Sequence, residues 1–314
     1  MSILKLHGVR MWVTEGCNAS CRFCMNATGR SDAMMDFEKY QRLCHYFNQN
    51  HFDKIAIMGG EPTIHPDFIS IMKCAQNYFN SVFLFTNALE GEVLKLFSPR
   101  DKDTIVYNFQ FFDSITEDKL LLDQPGGRVL DVVIDALTDV QSVTKNLIRV
   151  IKYSINRIKV QLVINNTCNI FKQKAAIVEN VNSIYNCLND IEGVQVAFEC
   201  NAPLCFTEGI KLPPFKNNTI CKPSSVLIDS SFNIRLCNIF NTPLINMFQE
   251  VEMIPFSIIE NYITMAYKDL RLKCLEKICK DCLFYGRQCN GKCHIPQTII
   301  SKEDICNSTS LPWL

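Results

Sequence analysis

The chain of 314 residues has no net charge, no long apolar run and no leader-like start. Its 32 Lys and Arg balance 32 Asp and Glu, so no overall field draws it to nucleic acid or to an anionic membrane. No apolar stretch reaches the roughly 18 residues of a spanning helix. Residues 1–14 lack the continuous apolar core and small-residue cleavage site of a secretory leader. Neither a nucleic acid nor a membrane is expected as partner, and the cytoplasm is the expected compartment. The five histidines are scattered, which disfavours a zinc site completed by a distant histidine. Cysteine is abundant, with 17 in the chain. Without a leader, so many thiols suit reducing surroundings and metal binding better than disulfides.

Cys17, Cys21 and Cys24 form a CxxxCxxC array just after the apolar run Val9–Val13. Three thiols in one short loop can point their sulfurs at a common centre, and soft thiolates select zinc, copper(I) or an iron-sulfur cluster. A structural zinc site wants four closed ligands. A cubane cluster on three thiolates leaves one iron open to a substrate or cofactor. Zinc with a distant histidine, or a disulfide with one thiol left over, are the alternatives at this point.

A second motif, Met58-Gly59-Gly60-Glu61-Pro62, follows the next apolar run. Together, CNASCRFC and MGGEP resemble the radical S-adenosylmethionine (SAM) superfamily. The resemblance implies that Cys17, Cys21 and Cys24 hold a [4Fe-4S] cluster whose fourth iron is chelated by SAM, which one electron cleaves to a 5'-deoxyadenosyl radical. It also implies roles for single residues. Phe23 would pack near the adenine. Gly59 and Gly60 would let the backbone approach the bound amino acid moiety, and Glu61 would receive its ammonium. Pro62 would fix the turn after the strand. Asn87, Asn108, Gln110, Asn165 and Asn166, at or near strand ends, are further candidates for SAM contact. At Thr86-Asn87 the family often continues with glycine, where this chain has Ala88.

Composition, 47% hydrophobic and 20% charged, suits one core of roughly 200 residues plus a smaller unit. Periodicity predicts strands over Val9–Val13, Lys54–Met58, Ser81–Thr86, Ile105–Phe112, Lys159–Ile164 and Val194–Phe198. Helices are predicted over Phe37–Asn48, Pro66–Phe79, Glu90–Phe97, Ser142–Ile155 and Lys172–Leu188. This βα alternation predicts an α/β fold with parallel strands. The resemblance narrows it to a partial (β/α)6 TIM-like radical SAM barrel over 1–200, with chemistry at the C-terminal strand ends. The segment Lys119–Val140 fits either an inserted hairpin or one more barrel strand.

The later cysteines form a second pattern: Cys279, Cys282, Cys289 and Cys293, then Cys306, preceded by Cys205, Cys221 and Cys237. A zinc ribbon at Cys279, Cys282, Cys289 and Cys293 is one reading. The whole set resembles the SPASM extension of many radical SAM enzymes, which would make 201–314 a small cysteine-rich domain. That resemblance implies two auxiliary [4Fe-4S] clusters, one on Cys205 (or Cys200), Cys221, Cys237 and Cys293, the other on Cys279, Cys282, Cys289 and Cys306. Phe232 stands where the family usually has glycine, with Asn233 as the candidate left-handed turn residue. The remaining cysteines, such as Cys44 and Cys74, read as small buried hydrophobes.

Enzymes resembling this layout mostly oxidise, cross-link or epimerise a ribosomally made peptide, so a peptide maturase is the expected function. A dehydrogenase or epimerase of a sugar or cyclitol is the runner-up, and an iron-sulfur scaffold or electron-transfer protein is a third possibility. Asn238 stands where sulfatase-activating members carry an Asp base, which disfavours that activity. An electron donor such as flavodoxin or ferredoxin is implied. Cys17 lies too near the start for a leader-binding domain before it, so leader binding would fall to a separate protein or the barrel itself.

Overall fold

A computed structural model describes residues 6–24, 31–110, 118–153, 158–164, 173–198, 225–236, 243–249 and 252–273. Seven strands follow one another in space as they do in sequence: β1 (Gly8–Thr14), β2 (Lys54–Gly59), β3 (Ser81–Thr86), β4 (Thr104–Asn108), β5 (Gly127–Ile134), β6 (Ile158–Ile164) and β7 (Gln195–Phe198). Each pairs in parallel with the next. Parallel neighbours need crossovers, and helices supply them: α1 (Phe37–Gln49), α2 (Phe68–Tyr78), α3 (Gly91–Lys95), α4 (Val140–Ile151) and α5 (Lys174–Asn189). Alternate strand residues such as Val9, Met11, Ile55, Ile57, Val82, Leu84, Leu130 and Val132 are buried in one core with Leu43, Phe47, Ile71 and Leu147 of the helices. This is the mostly parallel α/β architecture expected of the partial barrel.

Local chemistry sets the helix starts. Asp36 accepts the Lys39 N–H at 2.9 Å and Asp139 the Ser142 N–H at 3.1 Å, each satisfying a first-turn donor that the helix leaves unpaired. The helix predicted from Pro66 begins at Phe68, because Asp67 occupies the cap position. Pro62 instead opens a short 3-10 turn, Pro62–Ile64.

The ambiguous segment is settled by one buried side chain. Arg128, 1% exposed, donates to the carbonyls of Leu120 at 2.7 Å, Leu121 at 2.5 Å and Pro125 at 3.2 Å. The guanidinium thereby gathers the preceding loop beneath β5, and Gly126, at φ +90°, supplies the left-handed residue that the turn requires. Residues 127–134 are thus a barrel strand between β4 and β6. The strand predicted over Ile105–Phe112 ends at Asn108, so Gln110 lies past the strand end.

On the other side of β1 the sheet continues with β8 (Ser225–Ile228), parallel to β1, then β9 (Asn233–Arg235) and β10 (Ile245–Asn246), both antiparallel to their neighbours. The expected domain boundary near residue 200 falls outside the described residues. Arg10 Nε donates to Ser225 Oγ at 2.7 Å, and the Arg235 guanidinium lies over the Trp12 ring while Asp229 holds its Nε at 2.8 Å. The left-handed residue of the β8–β9 turn is Phe232 itself, at φ +67°, and not Asn233, which already begins β9. Its ring is kept by an edge contact with Phe248 and by the Lys39 ammonium. A short pair, β11 (Phe248–Gln249) with β12 (Glu252–Met253), leads to α6 (Phe256–Lys273). Ile259 and Ile263 of α6 join the main core. No helix among the described residues is long and apolar enough to cross a membrane.

Candidate functional site

The C-terminal end of β1 runs directly into the cysteine loop, and the end of β2 is fastened to that junction. Gly60 N–H donates to the Thr14 carbonyl at 2.7 Å, and Glu61 N–H to the Gly16 carbonyl at 2.9 Å. The two motifs, some forty residues apart in sequence, are therefore zipped together one residue before Cys17. The glycines make this possible. A Cβ on Gly60 would lie 1.9 Å from the Gly16 carbonyl oxygen, and one on Gly59, at φ +147°, 2.2 Å from that of Thr14. Both glycines thus let the strand end lie close against the stem of the cysteine loop.

Glu61 is 1% exposed and works as a hub. Its Oε1 accepts from Thr63 N at 3.1 Å, Thr63 Oγ1 at 2.7 Å and Thr86 Oγ1 at 2.7 Å, while Oε2 accepts the Asn87 N–H at 2.7 Å. Burial pushes its carboxyl pKa up, opposed by these four donors. Oε2, with a single partner among these bonds, keeps acceptor capacity for a further donor. Pro62, buried, sets the turn that brings Thr63 under the carboxylate.

Cys17, Cys21 and Cys24 are all reduced and half-buried, and Cys24 N–H closes a turn on the Cys21 carbonyl at 3.2 Å. Three outside groups hold the loop. Asn18 accepts from Asn87 Nδ2 at 2.8 Å and donates to Glu90 at 3.0 Å. Arg22 Nη2 donates to both carboxylate oxygens of Asp135, just past β5, at 2.9 Å each. Asp135 is 4% exposed and is held in turn by the Leu137 N–H and the Thr138 hydroxyl. Sequence reasoning missed Asp135 because β5 itself was unsettled; the signal was a carboxylate just after a β-branched run, Val129–Ile134.

Asn87 and Asn108, two of the candidates for SAM contact, direct side-chain amides at the thiols. Asn87 Nδ2 lies 4.0 Å from Cys17 Sγ, and Asn108 Nδ2 lies 4.0 Å from Cys21 Sγ. Gln110 donates from Nε2 to the Val133 carbonyl at 3.0 Å, which commits its amide to β5. Ala88, where the family has glycine, takes φ +56° and is fully buried, so the turn keeps the glycine-like backbone in spite of the methyl group. Phe23 is half-buried in the same loop. Asn165, Asn166 and the ligand candidates Cys205, Cys221, Cys237, Cys279, Cys282, Cys289, Cys293 and Cys306 lie outside the described residues.

Among the described residues no three His, Cys, Asp or Glu side chains already surround one point. The donor set nevertheless fits an iron-sulfur cluster: three thiols in one loop, two amide N–H groups aimed at their sulfurs, and a Gly-Gly-Glu strand end with a buried glutamate beside them.

Residues 11–165 match the Radical SAM superfamily. The matched family is one that holds a [4Fe-4S] cluster and SAM. Among solved structures, the fold is similar to that of Streptococcus suis SuiB bound to S-adenosylmethionine, with a TM-score of 0.66 at 14% identity, covering 95% of this chain and 75% of that one. It is also similar to anSMEcpe with bound AdoMet and Kp18Cys peptide, with a TM-score of 0.63 at 16% identity, covering 91% and 88%. At these identities the likeness is one of fold. A shorter segment is 34% identical over 101 residues to the molybdenum cofactor biosynthesis protein moc-5 of Caenorhabditis elegans, 30% of this chain and 16% of that protein. Another is 32% identical over 76 residues to a GTP 3',8-cyclase of Shewanella denitrificans, 23% of each. The chain thus spans less than a quarter of the length of these curated relatives.

Proposed function

We propose that the chain cleaves SAM reductively and abstracts hydrogen from a ribosomally made peptide, which is then oxidised, cross-linked or epimerised. The observation that carries the SAM step is the zipper between Gly60-Glu61 and Thr14-Gly16, which sets the three thiols beside a buried carboxylate. When bound, the cluster supplies the electron that splits SAM into methionine and a 5'-deoxyadenosyl radical. Cys17, Cys21 and Cys24 would hold it. Glu61 would take the methionine ammonium on Oε2, the oxygen with room for another donor. Phe23, from the same loop, would cover the adenine and keep water from the reacting carbon. Arg22 and Asn18, through Asp135 and Asn87, fix the loop so that this geometry exists before SAM arrives.

The peptide reading is supported by fold neighbours, one of which was solved with its precursor peptide SuiA and another with the Kp18Cys peptide. The eight later cysteines would hold two auxiliary clusters, and flavodoxin or ferredoxin would supply electrons from a cytoplasmic pool. A small-molecule substrate is the second reading, favoured by the GTP 3',8-cyclase relatives. Anaerobic reconstitution with iron, sulfide, SAM and reductant tests the core of the proposal. Formation of 5'-deoxyadenosine is expected, and its loss is expected in the triple Cys17, Cys21, Cys24→Ala variant while the auxiliary absorbance remains. Cleavage retained by that variant would contradict the assignment. A mass change in a peptide encoded beside this gene, with none in GTP, supports the first reading over the second.

A further inference from the structure

The amides of Asn87 and Asn108 stand 4.0 Å from the sulfurs of Cys17 and Cys21. Their orientation is decided by the backbone. Asn87 Oδ1 accepts the Leu89 N–H at 2.9 Å, and Asn108 Oδ1 accepts the Gln110 N–H at 3.3 Å. An amide whose oxygen is held by a backbone donor must turn its NH2 the other way, so both nitrogens face the thiols. Asn87 is 5% exposed and spends a second N–H on Asn18, which fixes its position further. The donors come from the ends of two successive strands, β3 and β4, and reach two different cysteines.

We infer that the side-chain amides of Asn87 and Asn108 set the reduction potential of the cluster on Cys17, Cys21 and Cys24, an inference that rests on the proposed SAM-cleaving function. Reduction adds one negative charge to the cluster, spread partly over the thiolate sulfurs. An N–H dipole aimed at such a sulfur stabilises the reduced form more than the oxidised one and makes the cluster easier to reduce. The neighbourhood lends this effect weight, because the nearby Glu61 carboxylate acts in the opposite sense. With two amides in place, a weaker physiological reductant can load the electron.

The test is a redox titration of the anaerobically reconstituted full chain, followed by electron paramagnetic resonance of the signal that responds to added SAM. N108A and N87A are each expected to shift the reduction equilibrium toward the oxidised form by roughly tenfold, about 59 mV for a one-electron couple. N108D keeps the shape and the acceptor for Gln110 N–H while replacing the donor by a negative group. It should shift the equilibrium further in the same direction and serves if N108A assembles poorly. Unchanged midpoints at unchanged iron content overturn the inference. Loss of the cluster in both N108A and N108D overturns it too, since Asn108 then holds the loop and does not tune the metal. A wild-type protein with no SAM-responsive signal defeats the underlying SAM reading itself, a result distinct from either of these.

Discussion

Gly60→Ala tests the zipper most directly. The added methyl carbon would meet the Gly16 carbonyl oxygen at 1.9 Å, its carbon at 2.5 Å and the Glu15 carbonyl oxygen at 2.7 Å. All three are backbone atoms at the buried root of the cysteine loop, so no side chain can rotate away. The strand end must part from the loop stem, which breaks the Gly60–Thr14 and Glu61–Gly16 bonds. Each buried backbone group left without its partner costs about 1–3 kcal/mol. Two such losses give a destabilisation of about 2–6 kcal/mol, a large share of the roughly 5–15 kcal/mol that holds a typical domain together. Gly8→Ala is the control, because its Cβ would meet only ordinary contacts, the nearest at 3.5 Å. Urea unfolding of the metal-free protein should show a lowered midpoint for Gly60→Ala and an unchanged one for Gly8→Ala. Reconstituted Gly60→Ala should also make little 5'-deoxyadenosine. A Gly60→Ala midpoint equal to wild type would refute the claim that this contact is tight.

Arg22→Gln removes the ion pair to Asp135 but leaves the internal bonds of Asp135 in place. Because Arg22 is half exposed, its side chain being 53% accessible, the stability loss should stay within about 1 kcal/mol. SAM cleavage per bound cluster should nonetheless fall, and equal turnover would show that the tether has no bearing on loop geometry. Glu61 predicts a pH trend. Burial raises its folded pKa above the ordinary 4.5, so the folded state holds the proton more tightly than the unfolded one. Stability should therefore decline as pH rises from 4.5 through the folded pKa, with the cost fully present above that folded pKa. Glu61→Gln should flatten that decline, even though its amide faces donors and lowers overall stability; a slope matching wild type between pH 4.5 and 7.5 would count against a strained buried carboxylate.

Much of the fold was legible because it rests on short-range pattern. The predicted strand over 81–86 matches β3, and the βα alternation gave a parallel sheet. The one strand left open, β5, depended on Arg128 capturing carbonyls of Leu120 and Pro125, a contact that no period in the sequence reports. The hairpin after β8 was anticipated through its turn, yet the left-handed residue is Phe232 and not Asn233, because packing against Phe248 and Lys39 outweighs the preference of asparagine for that conformation. Ala88 is a parallel case: a buried turn fixes a glycine-like φ that the residue itself disfavours.

The sequence by itself determined the chemistry available: three thiols at CxxxCxxC spacing and a Gly-Gly-Glu-Pro segment after the next strand, since both are sets of residue types at fixed short separations. Only the tertiary structure decided what those residues do for each other. Gly59 and Gly60 meet Thr14 and Gly16, Glu61 gathers Thr63, Thr86 and Asn87, and Asn87 and Asn108 face thiols. The physical reason is register. Parallel pairing of β1 through β4 brings their C-terminal ends to one edge of the sheet, and only there do residues twenty to ninety positions apart come within hydrogen-bonding reach.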